Sequence, residues 1–240
     1  MNLKGLAGGH YKPLSEKDIQ TIHKASLGIL EKTGFTYESG LDDTLRMLEA
    51  AGAQVDSAAA RIRFPRNVVL EHIRKAPRRV VLYSRTGKDD LDLTEDRVYL
   101  GTGGAAIRII DLETGEYRPT TLKDLYLLAR LVDKLDNVHF FLRPCIPTDI
   151  PEDAYDVNMF YACMKGTGKH VMSGVNDIEG FHKVLDVASM VAGGREKLVE
   201  KPFISVITSF AISPLKLCTA STLIMQEANR HRIPVALSCA

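Results

Sequence analysis

The second half of the chain repeats one pattern, a short apolar strand followed by an amphipathic helix. The predicted strands begin at Val138, Lys169, Phe203 and Pro234, so successive starts lie 31, 34 and 31 residues apart. The predicted helices between them cover about 151–165, 177–191 and 213–230. Near-continuous apolar strands that alternate with helices at this period are typical of a buried parallel sheet.

Four such units fit half of an eight-stranded barrel or part of an open, doubly wound sheet. The barrel is favoured because no glycine-rich phosphate loop follows the first strand of the repeat. The last strand, "PVALSC", reaches almost to Ala240, and no helix follows it. Because a buried strand needs partners on both sides, we expect the chain to be the front part of a longer barrel protein. The alternative is a half-barrel that pairs with a second copy.

The first region, residues 1–137, mixes helices with short strands. Ser15 and Asp18 form a shortened capping box before a helix that ends at Gly34. Gly115 marks the tip of a hairpin. Further helices are predicted over about 42–51, 65–75 and 121–136. The predicted fold class is α/β: an N-terminal α+β region over 1–137, then over 138–240 the first half, about four βα units, of a TIM (β/α)8 barrel.

Composition excludes several classes of protein. The 31 basic and 30 acidic residues give a net charge of +1, which is not the footprint of a nucleic-acid-binding or membrane-surface protein. The four cysteines contain no C-x-x-C pair, which argues against a disulfide scaffold or a zinc ribbon. The chain has no apolar run of signal-peptide or membrane-span length, so we expect a cytoplasmic protein.

Three motifs have a chemical reading and a structural one. The glycines of "LGTGGAAIRI", Gly101 and Gly103, precede a strand rather than the helix that a dinucleotide site requires, so we expect a close backbone approach instead. Lys169 suggests a Schiff-base aldolase or lyase. However, Lys169 and His170 begin their strand, whereas catalytic groups of barrels follow the strands, so we expect both to be structural. The histidines show no H-E-x-x-H spacing, and we expect no metal site.

Polar residues that follow the predicted strands are the candidate substrate-binding residues, because the carboxyl ends of barrel strands form one rim. They are Arg143, Asp149, Ser173, Asn176, Thr208 and Ser213. Each also has a simpler interpretation: Ser213 and Asp149 as helix caps and Arg143 as half of a surface ion pair. No catalytic residue is assigned.

The sequence resembles the trimethylamine methyltransferase family, the corrinoid-dependent amine methyltransferases, over essentially its whole length. The segments that carry the resemblance are "LSEKDIQTIHKASLGILEKTGF", "RIRFPRNVVLEHIRKAPRRVVLYSR", "YLGTGG", "TGEYRPTTLKDL", "KH" at Lys169–His170 and "SPLKL" at 213–217. Members of this family are (β/α)8 barrels with an added N-terminal region and are substantially longer than this chain.

The resemblance implies transfer of a methyl group from trimethylamine, or from a quaternary amine such as glycine betaine, to the cobalt of a partner corrinoid protein. It implies no tightly bound cofactor, since the partner supplies the corrinoid (cobalamin). We also expect a homo-oligomer. Asp149, with Phe141 or Phe210, is the candidate holder of the ammonium group. Some members carry pyrrolysine in the second half of the barrel, a region that this sequence does not include. The alternative is a fragment or half-barrel that works only in an assembly.

Overall fold

The computed structural model describes residues 5–239, with the side chain of Cys239 excepted. Residues 1–4 and 240, the outer ends of the two predicted regions, lie outside the described residues. The fold is mixed α/β, and the chain forms two compact units. The first unit contains residues 5–8, 79–208 and 223–236, and the second contains 9–78, 209–222 and 237–239.

The helices within this range are bounded as follows: α1 (Glu16–Lys32), α2 (Asp42–Ala50), α3 (Arg66–Lys75), α4 (Leu122–Asp133), α5 (Tyr155–Gly166), α6 (Ile178–Ala192), α7 (Arg195–Glu200) and α8 (Thr219–Arg230). A 3-10 turn at Glu152–Ala154 leads into α5. No helix in the described part of the chain is long and apolar enough to cross a membrane.

The strands in the same range are β1 (Leu6–Ala7), β2 (Phe35–Tyr37), β3 (Gln54–Asp56), β4 (Arg61–Arg63), β5 (Val81–Leu82), β6 (Leu91–Asp92), β7 (Arg97–Val98), β8 (Arg108–Ile110), β9 (Tyr117–Pro119), β10 (Phe141–Leu142), β11 (Val171–Ser173), β12 (Ile204–Ile212), β13 (Lys216–Leu217) and β14 (Val235–Cys239).

The predicted parallel sheet is present in the first unit. β10 pairs in parallel with β11 and β11 with β12, and β14 pairs with β12. Helices α5, α6 and α8 lie between these strands along the chain, as the repeat predicts. The buried core beside the sheet is apolar, and its largest side chains are Phe141, Phe160, Phe181, Leu125, Met159, Leu185 and Leu198. Burying a side chain of this kind stabilises a fold by about 1.5–3 kcal/mol.

The second unit has an antiparallel core of short strands. β4 lies between β2 and β3, and β13 pairs in parallel with β2. The capping box predicted at Ser15 and Asp18 is confirmed at the start of α1. Gly34 follows the end of α1 with φ +66°, and a side chain there would collide with the backbone of Ile62, so this position requires glycine.

One predicted helix start is wrong. Ser213 and Pro214 do not open a helix but form, with Leu215, the turn between β12 and β13, and α8 begins only at Thr219. Serine before proline is compatible with both a helix cap and a turn, and here the strand β12 continues to Ile212, which leaves no room for a helix. The short helix α7 was also not predicted.

Gly101 has the structural role predicted for it. It forms an isolated parallel bridge with Phe140, and a side chain at this position would collide with the Phe140 ring. The segment that follows continues to the strand β8, with no helix in between. The division into units also differs from the predicted boundary at residue 137, because residues 79–137 belong with the parallel sheet and not with α1–α3.

Candidate functional site

The carboxyl ends of β10 and β11 bring two predicted site residues to one edge of the sheet. Arg143 follows β10 directly, and its backbone N–H donates to the carbonyl of Met172 at 3.1 Å. Ser173 is the last residue of β11. Because the two strands are parallel and Leu142 is paired with Met172, Arg143 and Ser173 lie side by side.

Met159, on α5, contacts both of these side chains. Nη1 of Arg143 lies 3.2 Å from Met159 Sδ, and the hydroxyl of Ser173 donates to the same sulfur at 3.4 Å. Arg143 Nη1 also lies 3.5 Å from the hydroxyl oxygen of Tyr155. Burial raises the pKa of Tyr155, which keeps this phenol neutral. The guanidinium therefore contacts two uncharged groups, and its positive charge also acts on the nearby carboxyl of Asp156, whose pKa it lowers against the larger effect of burial.

Asp156, in the first turn of α5, is buried without full hydrogen bonding. The residue is 6% exposed, and its Oδ2 accepts from the backbone N–H of Asn176 at 2.8 Å. Its Oδ1 is buried and has no partner among the described residues. Burial raises the pKa of Asp156. Leaving such an atom unpaired costs about 1–3 kcal/mol, and a positive charge bound nearby would offset part of this cost.

A cavity of about 410 Å³ lies next to Asp156, between the first turns of α5 and α6. Lys183 is the basic residue of its lining, and its Nζ pairs with Glu179 at 2.8 Å. The carboxylates of the lining are those of Glu152, Asp153, Asp156, Asp177 and Glu179. We call this space the acidic cavity. With five carboxylates and one ammonium group, it is suited to small organic cations.

Asn176 and Gly180 shape the acidic cavity through their backbones. The contact of Asn176 with Asp156 uses the main-chain N–H and not the side-chain amide predicted to bind substrate. Gly180 donates its N–H to Asp177, the N-cap of α6, at 2.7 Å. A side chain at Gly180 would collide with Oδ2 of Asp156. Glycine at this position therefore lets the carboxylate sit against α6.

The other predicted site residues are placed differently. Asp149 Oδ1 accepts from the backbone N–H of Leu122 at 2.8 Å, so its carboxylate satisfies the start of α4, the simpler of its two interpretations. Thr208 is buried within β12. Ser213 belongs to the second unit, in the turn that precedes β13.

The two aromatic residues predicted to hold an ammonium group are not placed for it. Phe141 is completely buried in the core of the first unit, so no ligand reaches its ring. Phe210 lines an apolar groove of about 520 Å³ in the second unit, together with Leu30, Phe35 and Val68. Neither ring is part of the lining of the acidic cavity.

Lys169 is structural, as predicted from its position at the start of a strand. Its Nζ donates to the carbonyls of Val132, Leu135 and Val138, at 2.8, 2.7 and 2.7 Å. These three bonds use every N–H of the ammonium group. They leave no free amine to attack a carbonyl substrate, which counts against the aldolase alternative.

His170 is equally enclosed. Its Nδ1 lies 2.8 Å from the carbonyl oxygen of Tyr83, and its Nε2 lies 2.9 Å from the hydroxyl of Ser205. Burial lowers the pKa of His170 to about 4, so the ring is neutral at physiological pH.

Sequence reasoning missed Asp156, Tyr155 and Met159 because it looked only at strand ends. These residues lie on α5, and a signal for Asp156 was available. The buried positions Asp156, Met159, Phe160 and Cys163 follow helical spacing, so one carboxylate stands on an otherwise apolar face. A carboxylate on the buried face of a helix indicates a structural or functional role, because burying a charged group costs free energy.

Comparison with known proteins gives a consistent set of relatives. The chain is 35% identical over 231 residues to the trimethylamine methyltransferase MttB of Desulfitobacterium hafniense (strain DSM 10664 / DCB-2), covering 96% of this chain and 45% of that protein. It is 28% identical over 208 residues to a glycine betaine methyltransferase of Desulfitobacterium hafniense (strain Y51), covering 86% of this chain and 42% of the relative. The chain thus spans less than half the length of these relatives.

Among solved structures, the monomethylamine methyltransferase MtmB of Methanosarcina barkeri aligns with a TM-score of 0.44 and 11% sequence identity. The alignment covers 90% of this chain and 49% of that one. The family profile described as trimethylamine methyltransferase (MTTB) matches residues 5–240, nearly the whole chain. The protein therefore belongs to the trimethylamine methyltransferase family.

Proposed function

We propose that this protein transfers a methyl group from a cationic methylated amine to the reduced cobalt of a corrinoid carried by a partner protein. The N–CH₃ bond breaks with its electron pair remaining on nitrogen, while Co(I) supplies the pair for the new bond and becomes methyl–Co(III). Trimethylammonium and quaternary amines such as glycine betaine are the proposed donors, in line with the names of the relatives.

The observation that carries this proposal is the acidic cavity beside the carboxyl ends of β10 and β11, with the unpaired carboxylate oxygen of Asp156. A quaternary ammonium cannot donate a hydrogen bond, so it is held by charge and shape. A negative, partly enclosed cavity supplies both. Positioning the N–CH₃ bond toward the metal is the main contribution that a protein can make to this transfer.

We also propose that β10, β11, β12 and β14 are the first four strands of a (β/α)8 barrel. Their order and the parallel pairing of β10–β12 support this assignment. In such a barrel the catalytic groups lie at the carboxyl ends of the strands, where Arg143 and Ser173 are found. The partner's corrinoid would then approach that face.

The test is a methyl-transfer assay with the full-length protein and its purified corrinoid partner reduced to Co(I). Formation of methyl–Co(III) is followed by visible absorption after trimethylamine or glycine betaine is added. We expect formation with at least one of the two amines. Absence of methyl–Co(III) with both would contradict the proposal.

Asp156→Asn tests the role of the acidic cavity in the same assay. This substitution keeps the size of the side chain but removes its negative charge, so we expect KM for the amine to rise about tenfold or more. Asp186→Asn, on the exposed surface of α6 next to Arg195, is the matched control and should leave KM within about twofold. A KM equally unaffected by both substitutions would exclude Asp156 from substrate binding.

Arg143 can separate the two donors. Glycine betaine carries a carboxylate that a guanidinium would attract, whereas trimethylammonium does not. Arg143 does not line the acidic cavity, so this test asks whether the carboxylate of a bound betaine extends as far as Arg143. If it does, Arg143→Gln raises KM for glycine betaine by about tenfold while KM for trimethylamine changes little. An equal effect on both amines would assign Arg143 to packing against Met159 instead.

A further inference from the structure

Two histidines and a glutamate meet at a second place in the first unit, apart from the acidic cavity. His182 lies in the second turn of α6, and Glu227 and His231 stand four residues apart at the end of α8. One potential ligand atom from each lies within 4.8 Å of the other two. None of the three lines the acidic cavity.

Both imidazole rings direct a nitrogen at the same carboxylate oxygen. Nε2 of His231 lies 3.1 Å from Oε1 of Glu227, and Nε2 of His182 lies 3.5 Å from that oxygen. Around a tetrahedral Zn²⁺ with ligand bonds of about 2.0–2.1 Å, neighbouring ligand atoms lie about 3.3–3.4 Å apart. The two N–O separations are therefore close to the edges of a zinc tetrahedron, and the third pair of ligand atoms lies within 4.8 Å.

A simple helical hydrogen bond does not account for the whole arrangement. Contact between Glu227 and His231 is expected for residues four apart on a helix. His182, however, comes from another helix, and its Nε2 faces the oxygen that His231 already contacts. Convergence of three donor atoms from two helices is what a metal ion requires.

The surroundings hold the three side chains in place. Nη1 of Arg230 lies 2.8 Å from Oε2 of Glu227, which turns Oε1 toward the imidazoles. The ring of the buried Phe181 lies 5.8 Å from that of His182 and 6.4 Å from that of His231. Hydrogen bonds and packing around metal ligands commonly fix their orientation in this way. The side chains of His182 and His231 are 45% and 32% exposed, so an ion in solution can reach them.

We propose that His182, Glu227 and His231 bind one Zn²⁺ ion through Nε2, Oε1 and Nε2, with water as the fourth ligand. Two imidazoles and one carboxylate suit zinc and similar transition ions, whereas Mg²⁺ and Ca²⁺ prefer oxygen ligands. The ion would fasten the end of α8 to α6 and so fix the start of β14. This inference is independent of the proposed methyl transfer.

The test is direct titration of the full-length, chelator-treated protein. We expect one equivalent of Zn²⁺ to bind in calorimetry, and Co²⁺, used as a coloured substitute, to give the visible bands of a tetrahedral ion. Glu227→Gln and His182→Ala should each weaken Zn²⁺ binding at least about tenfold. His72→Ala, an exposed histidine on α3, is the control and should bind Zn²⁺ as the unaltered protein does.

A second readout covers the case in which a variant folds poorly. Excess Zn²⁺ should raise the melting temperature of the unaltered protein but not that of Glu227→Gln, whose side chain has the same size. The proposal fails if less than one equivalent binds. It also fails if Zn²⁺ binds Glu227→Gln or His182→Ala with unchanged affinity, or raises their melting temperatures equally, because the ion would then sit elsewhere, for example on the thiols.

Discussion

Lys169 and His170 are adjacent residues that satisfy two unrelated parts of the first unit. The ammonium group of Lys169 lies at the carboxyl end of α4, where the helix carries a partial negative charge. It is a second donor to the carbonyls of Val132 and Leu135, which also accept the backbone N–H groups of Leu135 and Val138. His170 bonds instead to a carbonyl near β5 and to a hydroxyl on β12. Both side chains, although chemically reactive types, therefore stabilise the fold through hydrogen bonds.

Lys169→Met should lower the free energy of unfolding by about 2–4 kcal/mol, because three carbonyls lose a charged donor at once. Urea denaturation of both proteins measures the difference. Lys201→Met, at an exposed position, is the control and should change stability by less than about 0.5 kcal/mol. A Lys169→Met variant as stable as the unaltered protein would show that water can replace the ammonium group.

His170 should make stability depend on pH. The folded-state pKa of about 4 lies below the unfolded value of 6.5, so below pH 6.5 the unfolded chain binds a proton that the folded protein does not. Stability is therefore lost as pH falls from 6.5 toward 4, by about 2–3 kcal/mol between pH 7 and pH 4.5. Urea denaturation at both pH values measures the free energy of unfolding. Between pH 7 and pH 4.5, His170→Gln should lose about 2–3 kcal/mol less of it than the unaltered protein does. Equal losses in the two proteins would contradict the assignment.

At the scale of elements, α1 and α4 begin with the same motif in different surroundings. The capping boxes are Ser15–Asp18 for α1 and Thr121–Asp124 for α4. Asp18 is exposed, whereas Asp124 is buried and receives two bonds from Arg118, at 2.7 and 3.0 Å. These bonds hold the pKa of Asp124 well below its usual range. The hairpin β8–β9 is thereby tied to α4.

The same substitution at the two caps measures this difference. Asp124→Asn should cost about 2–3 kcal/mol, because the guanidinium of Arg118 loses a charged partner, whereas Asp18→Asn, at an exposed cap, should cost clearly less. Thermal and urea unfolding of both variants gives the comparison. Equal costs would mean that Arg118 contributes nothing beyond an ordinary cap.

The elements that could be predicted from sequence are those whose start is fixed by residues close together in the chain. α1 and α6 have a capping residue whose side chain bonds to the backbone within the same turn. The turn at Ser213 and the strand β13 depend instead on pairing with β12 and β2, which no local pattern encodes. The strand predicted from Val138 is present but covers only Phe141–Leu142 as β10, because its bounds depend on pairing with β11 and not on a local pattern.

At the scale of the whole molecule, each unit is assembled from separated segments of chain. The second unit joins residues 9–78 to 209–222 and 237–239, so a boundary drawn along the sequence does not coincide with either unit. The candidate site likewise combines residues from separate segments of the chain. Arg143 and Ser173 were predicted from the rule that strand ends share an edge, whereas Asp156 depends on how α5 packs, which spacing along the strands does not reveal.

Gly180 is a position at which one substitution would change the shape of the acidic cavity without changing its charged residues. The glycine lines the cavity, yet its influence comes from the space that it leaves for the carboxylate of Asp156. A lineage that exchanged Gly180 for alanine would push this carboxylate aside while keeping every charged residue of the cavity. Under the proposed function, the preference for one methylated amine over another would then change through a position that has no functional group of its own.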